Sequence, residues 1–319
     1  MERREEIEKM RSIMGTQPKE FAKNKTEFFD GVEGIKVKMI DYPANPYKAI
    51  YTLACSTWGD HLDKWKETPT HGRLEVVKAA LEGNVLPACL EAPKFAFTIE
   101  NLSRAAFDQI ARARYGVAYG AAGVRDNNWL DCGYRIPNAI ARNVKMKSKV
   151  KKTVLNCKNT YSYIVGKGKQ SWQAARCVLP MNIAYRFSMT IDYFSLKGMC
   201  ANRMKFCEME DTVGVAWLLR EALKERFPLL AAYLRPGCDF TKKCQYHKAY
   251  ALSEYFGCLF APCGRNKDEN EYKYSTFNES CSDSKLIAKQ LGITIPKPTD
   301  WEKITADAIK KDIDYFGRD

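Results

Sequence analysis

The chain has 319 residues, 45% hydrophobic and 12% aromatic, enough to bury a sizeable core and too apolar for wholesale disorder. Lysine and arginine number 51 against 38 acidic residues, a formal net charge of +13 that attracts anions in general. No run of about 18 apolar residues appears, and Met1-Glu-Arg-Arg-Glu-Glu is charged with no apolar stretch behind it, so neither a membrane span nor a secretory signal is expected and a cytoplasmic protein is.

Residues 2–14 read as a charged helix with Ile7, Met10, Ile13 and Met14 on one side. Gly34 to Tyr42 reads as a strand, and Thr68-Pro-Thr-His-Gly72 opens a helix around Leu74 to Leu81 that leads towards Glu91 and a further strand. Next comes the most informative stretch, Phe95 to Arg125. It sets Arg104, Arg112, Arg114, Arg125 and Gln109 among alanines, Phe107, Ile110 and Tyr115. Guanidinium groups in so apolar a setting are costly to desolvate unless they meet an anion, which points to a phosphate-bearing ligand.

Within that stretch Ser103 can cap a helix, with Leu102, Ala106, Ile110 and Ala113 recurring on one face and Arg104, Asp108 and Arg112 on another. Gln109 and Arg112, three apart, are near neighbours. Gly116 to Gly123 holds three glycines and three alanines, and a loop is expected there whose backbone N–H groups approach a ligand closely. The alternative is a buried helix whose arginines pair with Asp108 and Glu100, followed by an ordinary flexible loop.

Lys145 to Lys152 carries lysine at nearly every second position. Such a run is a solvated face, and it lacks the interleaved aromatics of single-strand stacking surfaces, so nucleic acid is not expected as a partner. Of twelve cysteines, those at 55, 89, 132, 157, 177, 200 and 207 are scattered and read as small core residues. Cys238, Cys244, Cys258 and Cys263, with His247 as a substitute ligand, have a spacing open to a structural zinc or to buried free thiols. Lys267 to Ser284 is polar and loop-like, and Pro296-Lys-Pro-Thr-Asp300 caps a last amphipathic helix, Trp301 to Tyr315. None of His61, His71 and His247 lies near the arginine cluster, so no Ser-His-Asp arrangement is supported. Cys55, Cys132 and Cys207 are candidate nucleophiles without a supporting motif.

The arginine stretch resembles the signature of flavin-dependent thymidylate synthases: Arg-His-Arg, a short spacer, then Ser-any-Arg, with a glutamine three before the first arginine. Gln109, Arg112, Arg114 and Arg125 fall in register with it. Three more blocks match in order. Gly34 to Tyr42 resembles the family's opening strand, with Leu53-Ala-Cys-Ser56 resembling the Ala-Arg-Val-Ser that leads into the next helix. Gln173-Ala-Ala-Arg-Cys-Val-Leu-Pro180, with Asn182 and Phe187, resembles its Ala-Arg-x-x-Leu-Pro stretch. Thr190 to Pro228, with Asn202-Arg203 and Glu225-Arg-Phe-Pro228, resembles its helical pair. The likeness covers residues 34 to 230.

The resemblance implies an α+β fold, a mixed sheet flanked by helices, in a catalytic domain over 34–232 with an N-terminal helical extension (1–33) and a Cys-rich, helical C-terminal extension (233–319). It further implies a homotetramer with active sites at subunit interfaces. FAD, reduced by NADPH, would mediate transfer of a one-carbon unit from methylenetetrahydrofolate to C5 of a pyrimidine nucleotide monophosphate, the flavin carrying the hard chemistry. Gln109 and Arg112 would contact the nucleotide, Arg125 would bind its phosphate, Arg176 and Arg203 would add further nucleotide contacts, and Glu91, Arg112 and Arg114 would lie near the cofactor. The chain departs from the family pattern at Ala92 and Ala113, where histidines are usual, at Asp192 and Phe194 in place of Asn-x-Arg, at Gly198 in place of an asparagine, and at Gly123 in place of the signature serine. Two readings follow: a site re-tuned for another pyrimidine or one-carbon product, or a nucleotide-binding or structural subunit that keeps the fold without flavin catalysis.

Overall fold

Alternation along two long strands sets the sheet. In β3 (Lys94–Ser103) Phe95, Phe97 and Ile99 are buried while Ala96 and Thr98 between them are not, and in β6 (Ala184–Asp192) Tyr185, Phe187, Met189 and Ile191 repeat the pattern against Arg186, Ser188 and Thr190. The two pair antiparallel, Phe97 opposite Met189, so both apolar sets point to one side. β2 (Lys36–Asp41) and β4 (Val117–Ala121) complete an antiparallel sheet in the order β2-β3-β6-β4. The parallel component of the fold is a separate pair, β1 (Phe28–Asp30) with β5 (Tyr134–Ile136). The computed structural model describes residues 9–10, 26–57, 64–125, 127–130, 132–206, 208–237, 239 and 284–318.

The helices are α1 (Pro46–Thr57), α2 (Thr70–Glu82), α3 (Arg104–Ile110), α4 (Asn138–Ala141), α5 (Val144–Gly166), α6 (Trp172–Ala175), α7 (Tyr193–Arg203), α8 (Glu210–Lys224), α9 (Pro228–Ala232), α10 (Ser284–Leu291) and α11 (Trp301–Gly317). Helix α8 covers the apolar side of β2 and β3, α9 packs on α8, and α11 packs on α9 and α2. Trp301 and Phe316 of α11 join the same core as Phe95 and Ile191. The expected α+β architecture, sheets flanked by helices, is the one observed.

Four local expectations change. Residues 117–121 form the edge strand β4 instead of a phosphate-cradling loop, because Val117 and Tyr119 pack against the core and the chain pairs with β6 from Val117↔Ile191 to Ala121↔Phe187. The α3 helix stops at Ile110, so Ala113 lies beyond it. Leu53-Ala-Cys-Ser56 sits at the end of α1 instead of leading into a helix. Of the cysteines read as core residues, Cys89 and Cys200 are buried, whereas Cys177 is exposed. The lysine run lies on α5, where Lys147 pairs with Asp30 and Lys151 rests 5.0 Å over the Phe28 ring. Cys207, Cys238, Cys244, His247, Cys258 and Cys263 lie outside the described residues, as do most of the segments 2–14 and 267–284. Among the described residues no cluster of metal-ligating side chains occurs, and no helix is long and apolar enough to cross a membrane.

Candidate functional site

A buried ion pair fixes the foundation of the site. Arg135 of β5, 1% exposed, places Nε 3.3 Å from Oδ1 of Asp211, in the first turn of α8, and donates to the carbonyls of Gly31, Glu33 and Asn101. Burial drives its guanidinium pKa down, and Asp211 opposes that shift. The other Asp211 oxygen accepts the Ser103 amide at 2.9 Å. Ser103 in turn caps α3, its hydroxyl accepting from Ala106 N at 3.1 Å, as its place in the sequence predicts. Asn101, at φ +63°, makes the bulge that turns Leu102 and Ser103 inward.

From this anchor α3 runs to Ile110, where a tight turn takes over. Ala113 N donates to the Ile110 carbonyl at 3.1 Å, and the Tyr119 hydroxyl donates to the same oxygen at 2.9 Å. Burial pushes the Tyr119 phenol up to about 12, so it stays a donor. Arg112 and Arg114 leave this turn exposed. Facing them is α7, capped by Asp192, whose Oδ1 accepts Ser195 N at 2.7 Å. Gly116, at φ +64°, lies so close that a Cβ there would overlap Oδ2 of Asp192.

Between the turn and α7 is a cleft of about 480 Å³. One wall is Gln109, Arg112, Ala113, Arg114 and Tyr115. The other is Ser195, Gly198, Met199, Asn202 and Arg203, closed at one end by Lys205 and Glu208. Arg203 joins the walls, pairing through Nη1 with the Glu208 carboxylate and donating through Nη2 to the Gln109 carbonyl at 3.1 Å. Gln109, Arg112, Arg114 and Arg203 are thus brought together from two parts of the chain. Lys205, 8% exposed, and Glu208 also line the cleft. Sequence reasoning passed over both; the signal that finds them is a cation and an acid closely following the matched Arg203, on the turn between α7 and α8.

Arg125, Arg176 and Glu91 do not line the cleft. Arg125 and Arg176 are exposed, and Arg125 follows the far end of β4. Arg114 precedes β4 and Arg125 follows it, so the two flank a strand of about 17 Å. Glu91 lies at the α7 end of the sheet, where Tyr193 N donates to Pro93 O at 2.9 Å, but it points to solvent. Arg104 is engaged elsewhere, 3.0 Å from Asp108 and stacked 4.8 Å over the Tyr185 ring. The divergent positions have distinct fates. Ala113 and Gly198 line the cleft, and a side chain at Gly198 would enter open space. Asp192 is 4% exposed and committed to capping α7.

No curated protein sequence matches the chain. Among solved structures, a UMP/dUMP methylase, PolB from Streptomyces cacaoi bound with 5-Br dUMP, superposes with a TM-score of 0.54 at 13% identity, covering 65% of this chain and 96% of that one. A likeness at that identity speaks for the fold. Residues 38–229, more than half the chain, match the family described as thymidylate synthase complementing protein, and the chain belongs to this flavin-dependent thymidylate synthase family.

Proposed function

We propose that the cleft binds a pyrimidine nucleotide monophosphate and that the protein transfers a one-carbon unit to C5 of its base, with methylenetetrahydrofolate as carbon donor. The observation that carries this reading is the convergence of Gln109, Arg112, Arg114 and Arg203 on one cleft in a chain of this family. It is supported by the neighbouring fold of an enzyme whose own description is UMP/dUMP methylase. Arg112 and Arg114 would grip phosphate, the guanidinium fork matching its oxygens. The amide of Gln109, which both donates and accepts, would meet a base edge. Arg125 and Arg176, which do not line this cleft, would meet the nucleotide from a second copy of the chain, in a homotetramer whose sites are shared between subunits.

The family's route also uses FAD, reduced by NADPH, to supply the hydride. The residues that would face a flavin fit it poorly here: Asp192 is buried as a helix cap, Ala92 and Ala113 offer no side-chain hydrogen bond, and Gly198 has no side chain. Each charged hydrogen bond lost would weaken binding by roughly 1.5–3 kcal/mol. Those losses favour a second reading, nucleotide binding without flavin catalysis.

The test is titration calorimetry with dUMP and dCMP, followed by incubation with isotope-labelled methylenetetrahydrofolate, with and without FAD and NADPH. Nucleotide binding with label at C5 supports the enzyme; binding without label supports the second reading. Absence of nucleotide binding refutes both.

A further inference from the structure

From Gly133 to Ile191 the chain carries twelve lysines and arginines and no aspartate or glutamate, although acids number 38 over its whole length. Helix α5 holds six of those cations and rides on the surface, with only Val154 and Tyr161 of its 23 residues buried. The fold sorts its lysines into two sets. Lys147 pairs with Asp30, Lys151 rests 5.0 Å over the Phe28 ring and Lys158 donates to the Thr26 hydroxyl at 2.9 Å, so these three tie residues 26–30 to the helix. Lys145, Lys149 and Lys152 are exposed and make no hydrogen bond or ion pair among the described residues.

The outer three begin a single row. Lys145, Lys149, Lys152, Asn156, Asn159 and Tyr163 follow at steps of four and three, so they share one side of the helix over about 27 Å, and all six are exposed. Every side chain in the row can donate a hydrogen bond, and none is acidic. Like charges at such spacing weaken a helix, and folding has no use for them on an unpacked side.

We propose that this row is a docking surface for the phosphate backbone of duplex DNA. Lysine, asparagine and tyrosine are among the donors that proteins aim at phosphate oxygens. The row lacks interleaved aromatics, Tyr163 standing alone at its end, which speaks against stacking of single strands and leaves a paired backbone as the match. Of the two duplexes, B-form DNA gives a surface helix room to lie between its phosphate rows, whereas the major groove of RNA is too narrow. Val144, Met146 and Leu155, the other exposed apolar residues of α5, are scattered around it and form no apolar face for a lipid surface. None of the row lines the cleft, so this surface stands apart from the nucleotide reading.

Fluorescence anisotropy on the full chain with a labelled DNA duplex of mixed sequence tests this. Affinity should fall with salt at a log–log slope of at least about three, one for each outer lysine. Combining Lys145→Gln, Lys149→Gln and Lys152→Gln should weaken binding at about 50 mM salt more than tenfold and take about three from that slope. Combining Lys303→Gln, Lys310→Gln and Lys311→Gln removes the same charge from the exposed side of α11 and should change neither. No binding of the duplex at about 50 mM salt, or equal losses in the two variants, overturns the proposal. So does competition by polyglutamate, single-stranded DNA, double-stranded RNA or phosphatidylserine vesicles that matches unlabelled duplex at equal charge, each naming a different occupant for the row.

Discussion

Replacing Asp211 by alanine probes the anchor under the site. The carboxylate does two things, meeting Arg135 Nε at 3.3 Å and accepting the Ser103 amide at 2.9 Å. Both side chains of the pair are nearly sealed, at 2% and 8% exposure, so solvent screens the loss little. Removing one partner of a buried pair costs about 3–5 kcal/mol. Arg135 keeps the carbonyls of Gly31, Glu33 and Asn101, which places the charge loss near the lower bound, about 3 kcal/mol. The stranded Ser103 N–H adds about 1 kcal/mol. The sum, about 4 kcal/mol, is a large share of the roughly 5–15 kcal/mol that holds most domains folded. Urea unfolding followed by tryptophan fluorescence reads it, and Asp211→Asn, which keeps an acceptor for Ser103, should lose about half as much. A loss under about 1 kcal/mol for Asp211→Ala would refute the account of Arg135 as a charge that depends on its counterion.

Gly116→Ala should destabilise by well over the ~1–2 kcal/mol of left-handed strain alone, since the new Cβ strikes the Asp192 cap; Gly83→Ala, at φ +86° with open space around it, should show the strain alone, and equal losses in denaturant melts would contradict this. Arg112→Ala should leave the fold intact by circular dichroism and weaken nucleotide binding by about ten- to a hundredfold; unchanged calorimetric affinity would remove the arginine from the site. Burial raises the Asp312 carboxyl pKa, with the Tyr47 hydroxyl and the Leu229 amide, both bound to Oδ2, drawing it part of the way back. The folded state therefore holds that proton to higher pH than the unfolded one, and stability from this group falls as pH climbs from about 4 through the raised value. Asp312→Asn keeps an oxygen for both donors and abolishes that decline, so melting temperatures of the two proteins should diverge upward for the variant above this window; parallel profiles would sink the assignment.

The helix after β3 was legible because Ser103 is both a capping residue and the point where strand alternation gives way to three- and four-residue spacing. The arginines were legible because their residue type is rare among alanines. What stayed hidden depended on pairing across the chain. Val117–Ala121 has a loop's composition, and only the hydrogen bonds offered by β6 make it a strand. No local pattern announces that Asp192 caps α7 and presses on Gly116, or that Arg203 meets both Glu208 and the Gln109 carbonyl. Arg125 and Arg176 matched the family signature as well as Arg112 did, yet a signature records order along the chain and says nothing about which residues line one cleft.

Helix α11 closes over a surface made by residues synthesised long before it. Asn45 donates to Tyr315 O, Trp65 to Arg318 O and Arg73 to Phe316 O, across sequence separations of 270, 253 and 243 residues. Until α11 exists, Tyr47 lacks its stacked Phe316 and Trp65 has no acceptor for its indole N–H. A nascent chain therefore carries this aromatic surface uncovered until α11 emerges, and closing it is a pairing of large sequence separation, the kind that slows folding and leaves apolar surface for a chaperone to hold.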